Sequence, residues 1–220
     1  MSHVAVSDLR TAAYCPRKLY YARQEDDRSP PPEVAEIRAL ASRYPDLMDA
    51  TDAALRAEPI AVDPATYRRR LRALADRRDD WAALVDPAAT DALLTGRDVR
   101  GIARKVLADP PRPVLVSPGE PPDNGVWAPQ SVAAVALAKA LAYEREASVE
   151  RAVVEYPAHA VVRTVRLTTR KKAAYRRVLR TAREMDGPPP RVDDRGKCES
   201  CEYRRECGVP TRTLASLLGG

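Results

Sequence analysis

The sequence predicts an α/β fold with helices first and strands later, on three observations. Between residues 33 and 94, apolar side chains recur at spacings of three and four (Val34, Ile37, Leu40, Ala41), the period of a half-buried helix. From residue 98 the texture changes to short alternating runs rich in Val, separated by Pro and Gly. Between the strand-like runs lies one Ala-rich apolar stretch, residues 128–146, whose composition suits a buried helix.

The elements follow in order. Ser7 and Asp8 read as a helix N-cap before Leu9 to Tyr14. Pro16 ends that helix beside Cys15 and opens a second, because proline suits the first helical turn and no later one. Residues 26–32 form a loop. Residues 33–94 read as three or four helices, with Asp63-Pro64 and Asp86-Pro87 as two starts. Residues 98–107 read as a strand, 109–111 as a turn and 113–117 as a second strand. After the loop 118–125 and the apolar helix, residues 152–156 and 160–166 suggest a hairpin around Pro157-Ala158-His159. Thr168 or Thr169 caps a basic helix over 170–184, and Gly187 to Pro190 ends it. Residues 211–220 are a short tail. Three regions result: a helical part over 1–95, an α/β core over 96–186 and a cysteine segment over 187–210.

The net charge is +6, and only six of the 37 basic residues are Lys. A basic surface favours a polyanionic partner, with DNA the leading candidate. An arginine-rich solvated surface is the competing reading. Arg170, Lys171, Lys172, Arg176 and Arg177 concentrate cations on one predicted helix, and the same two readings apply to it. No apolar run approaches the ~20 residues that span a bilayer, so no membrane association is expected. The first residues show no basic and apolar leader, and a cytoplasmic location is expected.

Cysteine placement is the most specific signal. The chain has four cysteines. Cys198, Cys201 and Cys207 read C-x2-C-x5-C, and Cys15 lies near the other end in Tyr14-Cys15-Pro16-Arg17-Lys18-Leu19-Tyr20-Tyr21. In a reducing compartment clustered thiols more often bind metal than form disulfides. One four-sulfur site follows, suited to an iron–sulfur cluster or to zinc, with disulfides as a further alternative. Zinc sites usually draw on two C-x2-C hooks, and only one is present. Tyr203, between Cys201 and Cys207, is expected to cover such a site.

These two blocks, and the strand, strand, helix, hairpin, basic helix order between them, resemble the CRISPR-associated RecB-like iron–sulfur exonucleases, the fourth numbered Cas family in the PD-(D/E)xK nuclease superfamily. The likeness spans most of residues 5–208 and is weakest over 25–95. It implies a restriction-endonuclease-like mixed sheet and a [4Fe–4S] cluster on Cys15, Cys198, Cys201 and Cys207. It also implies a DNA partner, together with CRISPR integration proteins in spacer acquisition.

The catalytic pattern departs from the family. Such nucleases hold Mg²⁺ or Mn²⁺ on carboxylates, and the metal activates a water. In Val99-Arg100-Gly101-Ile102-Ala103-Arg104, Arg104 stands where the first acid belongs. In Pro113-Val114-Leu115-Val116-Ser117-Pro118-Gly119, Leu115 and Ser117 replace the Glu and Lys of the second strand. The histidines, His3 and His159, fall outside the early helical region where the family carries one. Gln130 fills the first position of the following helix motif and Ala134 the second. Arg104 would repel a dication and bind a phosphate. The expectation is a cluster-stabilised DNA-binding protein that has lost cleavage, with residues 104, 115 and 117 facing one another in an apolar or phosphate-sized hollow. Mg²⁺ or Mn²⁺ belongs to it only if nuclease activity survives. The alternatives are an active DNA exonuclease with relocated acids, drawn from Asp98, Asp109, Glu120 and Asp123, and an assembly subunit whose cluster is structural.

Overall fold

The computed structural model describes residues 3–26 and 28–208, so the tail at 211–220 lies outside the described residues. The chain is a mixed α/β protein around one mixed sheet, as the class prediction requires. Its strands are β1 (Val4–Ala5), β2 (Ala89–Thr95), β3 (Val99–Leu107), β4 (Arg112–Val116), β5 (Arg151–Tyr156) and β6 (Val161–Arg166).

Pairing around β3 decides the architecture. β2 runs antiparallel along β3 from Thr95 opposite Arg100 to Ala89 opposite Val106. That occupies one edge of β3. The other edge is shared, because β1 pairs with Val99 and Arg100 while β4 pairs with Lys105, Val106 and Leu107. Between those pairings, no strand among the described residues pairs with residues 101–104 of β3 on that edge. β4, β5 and β6 continue the sheet, with β4 and β5 parallel and β5 and β6 a hairpin.

One face of the sheet is covered by α1 (Val6–Tyr14), α8 (Ala128–Glu144) and α9 (Thr169–Arg183). α8 is apolar on all sides, and its residues 132–138, 140 and 141 are buried, as expected of a helix packed between a sheet and other helices. α2 (Pro16–Ala22) follows α1 after the bend at Cys15, with Pro16 in its first turn. The opposite face carries α3 (Pro32–Ala39), a 3₁₀ turn (Leu40–Ser42), α4 (Tyr44–Asp49), α5 (Asp52–Arg56), α6 (Pro64–Arg77) and α7 (Trp81–Val85). There Leu40, Tyr44, Leu47, Tyr67 and Leu71 pack with Val116 and Ala158. Last comes the short α10 (Arg195–Glu199).

A buried ion pair pins the second helical layer to the sheet. Lys105 and Glu155 are almost wholly buried, at 4% and 0% exposure. Lys105 Nζ lies 3.1 Å from Glu155 Oε1 and donates to Oε2 at 3.3 Å. It also donates to the carbonyls of Ala41 and Leu84, at 2.7 and 2.8 Å, so it reaches the 3₁₀ turn and α7. Tyr44 Oη donates to Glu155 Oε2 at 2.8 Å. Burial pushes the Glu155 carboxyl up, while Lys105 and the Tyr44 hydroxyl act against that shift.

Three sequence expectations need correction. Ser7 and Asp8 do not cap α1, which begins at Val6 with Ala5 as its N-cap. Asp8 is buried inside the helix and paired instead with Arg23 and Arg28, each at 2.9 Å. Residues 33–86 fold as five short α-helices and a 3₁₀ turn rather than three or four helices. Asp86-Pro87 opens no helix, because residues 89–95 pair along β3 as β2. By contrast, Asp63 does cap α6, accepting from Thr66 N–H at 2.9 Å, and Thr168 caps α9. The region over 1–95 is not separate from the sheet, to which it contributes β1 and β2.

Replacing Lys105 with Met should destabilise the fold by about 3–5 kcal/mol, because it leaves a buried carboxylate unpaired. Adding Glu155→Gln to Lys105→Met should recover part of that loss, while Glu155→Gln alone should be destabilising. Denaturant titration of the full cycle checks this, and additive effects would show that the pair is not coupled.

Candidate cysteine centre and an arginine-lined notch

The structure brings the four cysteines together. Cys15, Cys198, Cys201 and Cys207 are all free thiols, partly buried, and line one small cavity with Tyr14, Tyr21 and Tyr203. Each comes from a different local device. Cys15 sits in the extended link between α1 and α2, with φ −158° and ψ 116°, where Pro16 prevents the first helix from continuing. Cys198 lies in α10, capped by Asp194, whose carboxylate accepts from Lys197 N–H at 3.1 Å. Cys201 and Cys207 lie on the turns beyond, bonded through Cys201 N–H to Cys198 O at 3.3 Å and Cys207 N–H to Tyr203 O at 2.9 Å.

Several contacts besides sulfur hold the two chain ends together. Arg17 donates to Pro189 O at 3.1 Å, and Tyr21 Oη donates to Glu206 O at 3.0 Å. Lys18 pairs with Glu202 at 3.1 Å. Tyr203 is buried and stacks on Tyr21 with ring centroids 5.9 Å apart, so it covers the cavity as the sequence suggested. Lys18 and Lys197 lie over the Tyr14 ring at 5.7 and 5.3 Å. Burial, then the charges of Cys15, Cys207 and Cys201, pushes the Cys198 thiol up.

The donor set fits a thiolate-ligated centre. Four sulfurs share one cavity, cations stand around it, and tyrosines cover it. Its free space is about 20 Å³, room for about one water, and all four cysteines stay partly exposed. Among the described residues, no group of three or more His, Cys, Asp or Glu side chains is placed as it would be around a bound metal ion.

The second site is the gap on β3. A cavity of about 450 Å³ opens there, lined by Gly101, Ile102 and Arg104 of β3, Leu115 and Val116 of β4, and Val6 and Arg10 of α1. Arg38 of α3, Arg100 and His3 also line it. Gly101 is required by a close approach, since a Cβ there would stand 2.6 Å from Val6 Cβ and Cγ2. Arg104 and Leu115 share this cavity, but Ser117 does not. Ser117 is buried apart, its N–H bonded to Glu155 O at 2.8 Å and its Oγ accepting from Gln130 Nε2 at 3.2 Å. Positions 104 and 115 therefore line one cavity, whereas 117 lies outside it at the end of β4, where its N–H continues the pairing with β5.

The notch is cationic, and no carboxylate lines it among the described residues. Arg104 pairs with Asp91, which lies opposite it on β2. Among the described residues no carboxylate is ion-paired with Arg10, Arg38 or Arg100, and Arg38 Nε is buried without a hydrogen-bond partner. Burial lowers the Arg10 pKa. Burial lowers that of Arg38 too, reinforced by the charges of Arg104 and Arg10 and opposed by Asp91. Such a lining does not fit Mg²⁺ or Mn²⁺, which need oxygen ligands. The candidate relocated acids do not supply them, since Asp98 is paired with Arg183 at 2.9 Å and Asp109, Glu120 and Asp123 lie outside the notch.

On α9, Tyr175, Leu179 and Ala182 face the core, while Arg170, Lys172, Arg176 and Arg177 are exposed and Lys171 is half-buried. Sequence reasoning found Arg104 but missed Arg10 and Arg38, which stand near it only after folding. It also missed the Lys105–Glu155 pair.

No known family model matches the chain, and no curated protein matches it. A solved structure described as the crystal structure of SSO0001 aligns over 96% of this chain and 88% of that one, at 11% identity and a TM-score of 0.46. No helix among the described residues is long and apolar enough to cross a membrane.

If α9 contacts DNA, replacing Arg176 and Arg177 with Gln should lower the slope of log affinity against log salt by roughly two. An unchanged slope assigns the helix to solvent.

Proposed function

We propose that this protein is an iron–sulfur DNA-binding protein with a nuclease-like scaffold whose metal-dependent cleavage site has been lost. The convergence of Cys15, Cys198, Cys201 and Cys207 on one cavity carries the reading. These residues would hold a [4Fe–4S] cluster. Bound there, the group supplies a covalent staple between α1–α2 and the C-terminal segment, much as a disulfide does in secreted proteins. The chain's own residues do the remaining work. Arg17, Lys18 and Tyr21 tie the first helices to residues 189–206, and Tyr203 lines the cavity of the four cysteines.

The restriction-endonuclease-like reading of the sheet rests on the family resemblance, whose acid positions fall on β3 and β4 beside the notch. Here the gap presents arginines, which attract phosphate directly and repel a dication. The basic surface of α9 supports DNA as partner. A place beside CRISPR integration proteins in spacer acquisition rests on the family resemblance.

Anaerobic purification should yield brown protein with about four irons per chain. One zinc and no iron would overturn the cluster reading. Cys15→Ala should lower thermal stability markedly, because it frees one end of the closure. Digestion of single- or double-stranded DNA with Mg²⁺ or Mn²⁺ should be negligible. Robust Mn²⁺-dependent digestion abolished by Asp98→Ala or Glu120→Ala would instead show a relocated site.

A further inference from the structure

We propose that the notch on β3 binds a phosphate of a single-stranded nucleic acid directly, through Arg38 and Arg104 with Arg10 at the rim, while a base of the same strand stacks on Trp127. The inference deepens the DNA-binding reading and rests on it.

The first support is charge. Arg10, Arg38, Arg100 and Arg104 come from α1, α3 and β3 and line one cavity. Like charges held together at partial burial are unfavourable without a counter-ion. Among the described residues the one carboxylate ion-paired with any of them is Asp91, on Arg104, and its charge also reaches Arg38. Arg38 Nε, buried and without a partner, is a donor that the fold leaves unused. An oxyanion supplies both the missing charge and the missing acceptor, and guanidinium groups match phosphate oxygens in pairs.

The second support is continuity. Arg10 also lines an adjoining hollow of about 630 Å³, bordered by Tyr14, Lys18, Trp127, Gln130 and Lys197. Trp127 is 51% exposed, which is unusual for so large an apolar ring. Its indole N–H is fixed to Glu120 O at 2.8 Å, so the ring is held while much of its surface stays open. Gln130 Oε1 is buried there without a hydrogen-bond partner. An aromatic platform beside a cationic pocket is the usual arrangement for a strand whose bases are unpaired. Hence the strand is single, with its phosphate in the notch and a base in the hollow.

The probe is a fluorescent oligo-dT single strand, titrated against the full-length protein by anisotropy at fixed salt. Arg38→Gln and Arg104→Gln should each weaken binding about tenfold, the scale of one lost charged hydrogen bond. Asp91→Asn should tighten it, because it releases Arg104. That change suits the backbone, since Asp91 has φ 47°, a conformation asparagine tolerates well. Binding should quench tryptophan fluorescence in the wild type and much less in Trp127→Leu. A merely structural role for Arg104 predicts that Asp91→Asn weakens binding or leaves it unchanged, and either result overturns the proposal. Unchanged affinity in both arginine variants overturns it while leaving DNA binding intact. Persistent quenching in Trp127→Leu removes the stacking assignment. No binding by the wild type overturns the DNA-binding reading itself, and this inference with it.

Discussion

The division of one edge of β3 between two short strands governs the rest of the structure. β2 takes the whole opposite edge, so β1 and β4 must share what remains. β1 ends at Ala5 and β4 first pairs at Lys105, which leaves residues 101–104 beside a notch rather than a strand. A sheet edge left open inside a protein must be lined by something. Here α1 and α3 supply its walls, and both carry arginine at the point of closest approach. Lys105 stands at the end of the gap and turns the other way. Its ammonium clamps the 3₁₀ turn and α7 onto the sheet through Ala41 and Leu84. That clamp is what places α3, and so Arg38, beside the opening.

The cysteine junction solves a different problem. α1 packs on α8 through Leu9 and Ala12, but the residues after α9 have few apolar side chains with which to dock. Residues 187–208 contribute one buried aromatic ring, Tyr203, plus polar contacts to Arg17, Lys18 and Tyr21. Exposed contacts of this kind contribute at most about 1 kcal/mol each. A thiolate-ligated centre would supply what the apolar surface does not. Without it, the four sulfurs would be the main content of a thinly packed joint.

Much of this was legible in the sequence, and the failures have physical causes. The strands at 99–107 and 112–116, the hairpin and α8 announce themselves by β-branched runs and by uninterrupted apolar content. The pairing of Cys15 with the distant cysteines was legible because thiols have few other reasons to cluster. β2 was not legible: Ala89 to Thr95 contains Ala, Asp and Leu, which favour helix or turn, and becomes a strand only because β3 pairs with it. β1 is two residues long and carries no period at all. The fully buried Lys105 looks like any strand lysine until Glu155, fifty residues on, is placed against it. Arg10 and Arg38 are unremarkable in a chain with 37 basic residues. Their meaning lies in convergence, which local pattern does not encode.

The arginines of the notch also bear on how a phosphate could be met there. Burial lowers the Arg38 pKa, and the neighbouring charges of Arg104 and Arg10 add to that cost of holding guanidinium groups in one cavity. An anion bound among them would offset that cost. A metal-dependent site meets phosphate through a dication held on carboxylates. An arginine site meets the same oxygens with no intermediary, holding the strand without activating a water.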